Sequence, residues 1–374
     1  KYDASAPQPQ PDPNEQNRTE FTAQMTPGAV KEYQDANVEK ETGAYTFTKD
    51  STVDYTGDAA VFAKYGGVKI DAAGHNLTVN VKAGVGKRSL WGIDARPNRR
   101  QSKIDVDAGH LTFNINADHN DAVTDAVGIE SGYAGGVMTF KGMTEIHTHA
   151  TNRSVGADIA GTDSKVQFEG LKVSVNKDAK TGYSLRSRKG TLSVNTADGT
   201  AGTNEVQLDG NIAAEVSEYT DGQLDVALTT GSSYLHGLSI AEENTWTDYP
   251  DQTYTKRPEV KLTLQNGAVW QNENYSTQPI ENFHGSYVTQ FTGGSDAAHR
   301  GIIEQKDANP LHLASYSGNT LVFYEHTGNG SEEAHYAAGD TIVDKAAENS
   351  AITMATGNNG IAMDDGDAVD DALN

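Results

Sequence analysis

One cassette of strand, turn and strand returns along this chain and constrains its fold more than any other feature. Lys69-Ile70-Asp71-Ala72-Ala73-Gly74-His75-Asn76-Leu77-Thr78-Val79-Asn80-Val81 is followed, starting 34 residues later, by Lys103-Ile104-Asp105-Val106-Asp107-Ala108-Gly109-His110-Leu111-Thr112-Phe113-Asn114-Ile115. Shorter copies stand at Met138-Thr139-Phe140-Lys141-Gly142 and Val166-Gln167-Phe168-Glu169-Gly170. A second motif keeps step with the first, in Leu90-Trp91-Gly92-Ile93, Val127-Gly128-Ile129, Val155-Gly156-Ala157 and Tyr183-Ser184-Leu185. Two motifs repeating in phase mark one supersecondary unit stacked many times. Each unit then buries its apolar face on its neighbours, so 374 residues lengthen one core instead of dividing into globules. The expected fold is all-β, a β-solenoid.

Composition fits short strands joined by tight turns. Only 36% of residues are hydrophobic, whereas Gly alone numbers 38. Fifty-two acidic residues against 29 basic ones give a net charge of -23, which repels phosphate backbones and anionic lipid headgroups and argues against a nucleic-acid partner. There is no cysteine, so stacking must supply the stability that disulfides give many exported domains. No run of 18 apolar residues occurs, and Lys1-Tyr2-Asp3-Ala4 does not open a signal peptide; for an exported chain the expectation is that this peptide has been removed.

Organisation is read from texture. Pro7, Pro9, Pro11 and Pro13 among polar residues make 1–25 a disordered, solvated linker. Residues 26–45 are the candidate cap that closes the first open β-edge, 46–260 the repeating region with loop insertions, 261–360 the terminal coils, and 361–374 an acidic tail. Alternation in Leu111, Phe113, Ile115 and in Leu171, Val173, Val175 turns every second side chain inward, which predicts interior ladders of Val79, Phe113 and Phe140 or Phe168. In Met143-Thr144-Glu145-Ile146-His147-Thr148-His149 the apolar phase slips, predicting a bulge.

Several residue groups are candidates for chemistry. Asp71 and Asp105, at matching places in the two best cassettes, would approach each other as an acid/base or calcium pair, or else join Lys69 and Lys103 in a surface ladder of mixed charge. Ser295, Asp296 and His299 crowd one Gly-rich turn instead of converging from separate elements, so no triad is expected. His147 and His149 share a strand face but lack a third metal ligand, and the tail from Asp364 lacks the final Glu of a calcium loop. No cofactor, metal site or catalytic residue is expected. Two loops suit binding. Arg96, Arg99 and Arg100, near Trp91, form a cationic cluster that either pairs with acidic groups of a ligand or neutralises acids of the chain itself. The insertion at 241–258 concentrates Trp246, Tyr249 and Tyr254 in polar surroundings, either as a contact surface or folded back on the core.

The last third resembles the passenger regions of classical bacterial autotransporters. The residues that carry the likeness are Leu262-Thr263-Leu264-Gln265-Asn266-Gly267-Ala268-Val269-Trp270, similar to that family's strand and Gly-Ala-x-Trp. Pro310-Leu311-His312-Leu313-Ala314-Ser315-Tyr316-Ser317-Gly318-Asn319-Thr320-Leu321-Val322-Phe323-Tyr324, Ala338-Gly339-Asp340-Thr341-Ile342-Val343 and Ser350-Ala351-Ile352-Thr353-Met354 look like its pertactin-like terminal coils. The resemblance covers about 100 residues well. It implies a right-handed parallel β-helix, an autochaperone-like cap at the C-terminal end, and export through the outer membrane by the protein's own β-barrel translocator, which this chain does not include. It also implies a place at the bacterial surface or in the medium, and adhesion to host cells, to matrix protein or glycan, or to other bacteria in a biofilm. The serine-protease and esterase signatures of that family are absent, so adhesion is expected without catalysis. The alternatives are a polysaccharide-degrading β-helix and a structural stalk.

Overall fold

The computed structural model describes residues 42–63, 67–96, 102–117, 123–133, 135–306, 309–327, 335–336 and 341–357. The proposed linker at 1–25, nearly all of the proposed cap and the acidic tail lie outside them. Among the described residues, strands dominate and the one helical element is the short 3-10 turn Ala297–His299. The strands form a 19-stranded sheet, a 7-stranded sheet and three small antiparallel hairpins.

The large sheet carries two parallel tracks. Gly67–Ala83, Ser102–Asn116, Gly136–His149 and Lys165–Val175 each run through both. From Thr191 onward separate strands serve each track, as in Gln223–Leu228 followed by Tyr234–His236. On the first track Tyr45, Ile70, Val106, Phe140, Phe168, Val194, Val226, Leu262, Phe291 and Tyr316 lie in successive register. On the second, Val53, Val79, Phe113, Ile146, Val173, Leu208, Leu235, Trp270, Ile303 and Val322 do the same. All twenty are buried and belong to one continuous core. The predicted ladder is therefore corrected: Val79 and Phe113 stack together, but Phe140 and Phe168 stack on the other track, with ring centroids 4.6 Å apart.

The tracks meet at irregularities in the strand. Between Phe140 and Met143 one strand holds two residues where its neighbour, between Phe168 and Gly170, holds one. Gly142 takes the extra place with φ +79, and a Cβ there would sit 1.7 Å from the Ala108 carbonyl oxygen. The bend thus falls at Lys141-Gly142, just before the segment whose apolar phase slips. That slip has its own cause, because Thr144 and Thr148 occupy inward positions and are buried. Thr148 shares a 2.7 Å hydrogen bond with Ser154. Thr144 lies between Leu111 and Leu171 in register, and its hydroxyl has no partner among the described residues. Thr144→Val keeps the shape and removes an unsatisfied buried hydroxyl, so denaturant titration should show a gain of about 1 kcal/mol.

The second motif builds the 7-stranded sheet. Val61, Ile93, Ile129, Ala157, Leu185 and Ile212 follow one another in register. Its glycines let this sheet lie directly on the second track. A Cβ on Gly128 would stand 2.4 Å from both the Gly156 carbonyl oxygen and Ile146 Cγ2, and one on Gly156 would stand 2.5 Å from Val173 Cγ1.

Among the described residues this sheet stops at Ser239–Ile240, and the later strands pair only along the two tracks. A strap at 273–285 crosses its end. Ile280 and Phe283 pack on Ala213, Leu238 and Ile240. Buried Asn211 ties the strap down, accepting from Tyr275 N at 3.0 Å and donating to Asn274 Oδ1 at 2.8 Å. Farther back, Thr277 N donates to the Lys177 carbonyl at 2.8 Å.

Candidate functional site

The insertion at 241–258 is an antiparallel hairpin, Asn244–Asp248 with Gln252–Lys256, standing off the parallel sheets. Alternating Thr and aromatic residues give it two usable faces, and register puts Trp246 directly opposite Tyr254. Their rings stack at 5.9 Å with 21° between planes. Tyr249 at the turn is 94% exposed and Tyr254 39%, while Trp246 is half-buried. The rings therefore pack on each other and face solvent instead of folding back on the core.

The hairpin is held at its base. Lys256 pairs with Asp221 at 2.6 Å, Asn244 Nδ2 donates to the Val216 carbonyl at 2.9 Å, and Arg257 donates to the Ala241 carbonyl at 2.7 Å. Two of those contacts reach a smaller hairpin, Val216–Ser217 with Thr220–Asp221, from the preceding repeat. Its tip carries Tyr219, 87% exposed. The neighbouring Glu218 carboxylate pushes the Tyr219 phenol above its ordinary pKa. Tyr219, Trp246, Tyr249 and Tyr254 make an aromatic platform bordered by carboxylates, the residue types that dominate contact energies when buried by a partner. Tyr219 belongs to the platform but not to the sequence expectation, because a lone Tyr beside Glu carries no signal without the hairpin pairing.

Of the arginine cluster, Arg96 alone is described. Arg96 Nε lies 2.9 Å from Asp94, its Nη2 3.7 Å from Glu130, and its guanidinium covers the Trp91 ring at 5.0 Å. Its charge is used within the chain; Arg99 and Arg100 lie outside the described residues. Asp94 and Glu130 belong to a column of carboxylates on the 7-stranded sheet, Asp94, Glu130 and Asp158 in successive register, all buried. Arg153 spans Glu130 at 3.2 Å and Asp158 at 3.1 Å, and Arg188 grips Asp158 with Nε at 3.1 Å and Nη2 at 3.0 Å. The Trp91 indole N–H donates to Glu130. Burial pushes Asp94 up to about 7 against the pull of Arg96, and burial likewise raises Asp158. The signal for this column stands in the sequence: each early copy of the second motif ends in an acid, Ile93-Asp94, Ile129-Glu130 and Ala157-Asp158, and the fourth switches sign at Leu185-Arg186.

The other sequence candidates fall apart spatially. Asp71 lies opposite Asp107, so the pair with Asp105 does not form; Asp105 lies opposite Lys69 and 3.9 Å from Lys103, a surface ladder of mixed charge in which Lys69 faces a carboxylate instead of Lys103. Asp296 caps the 3-10 turn, accepting from Ala298 N at 2.9 Å and from His299 N at 3.0 Å, with the His299 ring at 2.7 Å. His147 pairs with Glu145 at 3.4 Å, and no group of three or more metal-ligating side chains forms among the described residues. Comparison with protein-family models, curated proteins and solved structures finds no match to this chain.

Proposed function

We propose that this chain is the adhesive part of an exported bacterial surface protein, an autotransporter-type passenger whose parallel strands wind as the coils of a right-handed β-helix. Its work is attachment to host cells, extracellular matrix or other bacteria, and its contact surface is the aromatic platform of the two hairpins. The observation that carries this reading is the pair of stacked and exposed rings held out from an otherwise regular parallel scaffold. A stack of repeats serves as a rigid support, and hairpins anchored by Lys256, Asn244 and Arg257 present large side chains with little ordering cost on binding. Many copies on one cell would convert weak single contacts into firm attachment.

The test compares beads coated with the chain and with a Tyr219→Ser, Tyr249→Ser, Tyr254→Ser variant. On fibronectin, collagen and cultured epithelial cells, the variant is expected to lose attachment at least about tenfold, the loss of one or two contact anchors. All three positions point into solvent, so the circular dichroism of the variant should match that of the unaltered chain. Equal attachment of both would overturn the platform and favour a structural stalk.

A further inference from the structure

A column of polar side chains climbs the outward surface of the second track. Asp54, Asn80, Asn114, His147 and Ser174 stand in successive register, and Asp209, His236 and Gln271 continue the column. Asn80 donates to Asp54 at 2.9 Å and Asn114 donates to Asn80 at 2.9 Å, so the amides point the same way along the stack. Asn114 ends this chain at a groove of about 290 Å³, bordered also by His147, His149, Ser174 and Asn176. Asn176 is committed to the Ala150 backbone and Asp178, and His147 meets Glu145 through Nε2. Among the described residues, the Asn114 carbonyl and His147 Nδ1 keep hydrogen-bonding capacity that no neighbour uses.

The same line continues past Tyr275 of the strap, whose ring lies under Lys177 at 5.0 Å, into a second depression of about 100 Å³ beside His236 and Gln271. There the Tyr234 ring stacks on His236 at 4.2 Å. Hydrogen-bonding groups thus repeat along one axis with the strand spacing of about 4.8 Å, a step comparable with one pyranose ring, and the aromatic rings gather at its Tyr275 and His236 end. We propose that this track binds a linear neutral oligosaccharide lying along the stacking direction. Its hydroxyls would meet the amide and imidazole groups, and its apolar ring faces Tyr275 and the Tyr234 and His236 pair. Glu145 and Glu273 beside the track and Asp54 and Asp209 within it, on a chain of net charge -23, disfavour sulfated or otherwise anionic sugars. Lys172, on the strand of Ser174, is held by Glu205 at 2.7 Å, and Lys177 over the Tyr275 ring is the one cation lining the second depression, among the described residues.

This site is separate from the hairpin platform, and its test uses different residues. Titration calorimetry and ligand-observed NMR on the full chain would use cellohexaose and chitohexaose, with a heparin-derived hexasaccharide for comparison. At least one neutral sugar should bind. Its affinity should fall about threefold to tenfold in His147→Ala, the value of one hydrogen bond, and further in Ser174→Trp, which fills the groove from outside the core ladders. Binding should persist in the triple tyrosine variant. The proposal is overturned if neither neutral sugar binds at millimolar concentration, if Ser174→Trp binds as well as the unaltered chain while keeping its thermal transition, or if the heparin fragment binds best.

Discussion

Gly128→Val is expected to destabilise the chain by at least about 3 kcal/mol, read as a lowered denaturant midpoint with an unchanged slope. Gly128 has ordinary backbone angles, so conformational freedom is not the reason. The cost is one of space: the added Cβ meets the Gly156 carbonyl oxygen and Ile146 Cγ2, both at 2.4 Å, and backbone on one side leaves the side chain nowhere to turn. Relief requires the 7-stranded sheet to lift from the second track, and that separation would propagate to Gly92 and Gly156, which make the same approach to Phe113 and Val173. Gly74→Ala provides the contrast. Gly74 has φ +75 but open space around it, so its substitution should cost only about 1–2 kcal/mol, the penalty of a left-handed backbone alone. Equal costs for the two variants would contradict the close contact between sheets.

Arg153→Met should cost about 2–3 kcal/mol at neutral pH, because buried Glu130 and Asp158 lose one of the two guanidinium groups they share and keep Arg188, with Arg96 also beside Glu130. The effect should depend on pH in a definite direction. A carboxyl whose folded pKa is raised binds its proton more readily in the folded state, so it favours folding in acid, and that contribution is lost as pH rises through the folded value. For the unaltered chain, Asp94, raised chiefly by burial and further by Glu130 and Asp58 against the pull of Arg96, gives such a decline between its ordinary 3.8 and about 7. In Arg153→Met the decline should be steeper, since Asp158, already raised by burial, loses one of the charges that lower it. Thermal unfolding at pH 5 and pH 8 checks this: the gap between variant and unaltered chain should widen at pH 8. A gap that narrows there would mean these carboxylates do not titrate with folding.

The strands and their inward residues were legible in the sequence, because alternation in segments such as Leu111, Phe113 and Ile115 admits only one buried face. Register was less so. Aligning Lys69 with Lys103 suggests one constant offset, yet Asp71 lies opposite Asp107, 36 residues on, while Val79 lies opposite Phe113, 34 on. Ala73-Gly74-His75 at the bend stands against Gly109 alone, and those two extra residues reset every outward pairing before it. The carboxylate partners read from the alignment failed for that reason. The aromatic insertion was recognisable by composition, whereas the pairing of Trp246 with Tyr254 and the neighbouring Tyr219 depend on hairpin geometry that composition does not encode. The Asp94, Glu130 and Asp158 column is the opposite case, regular in sequence but easily taken for solvated charge, because nothing in a single acid after an apolar motif announces the arginines that come to meet it.

The strap has a mechanical meaning. In a stack where each layer touches only the next, the end layer can fray alone and melting proceeds like an opening zipper. Here Tyr275 and Thr277 are fastened to Asn211 and Lys177, so peeling the later strands also tears contacts made 64 and 100 residues earlier in the chain. Such a lashing turns gradual fraying into a threshold, and a load applied from the C-terminal side would be shared across several layers before any one of them yields.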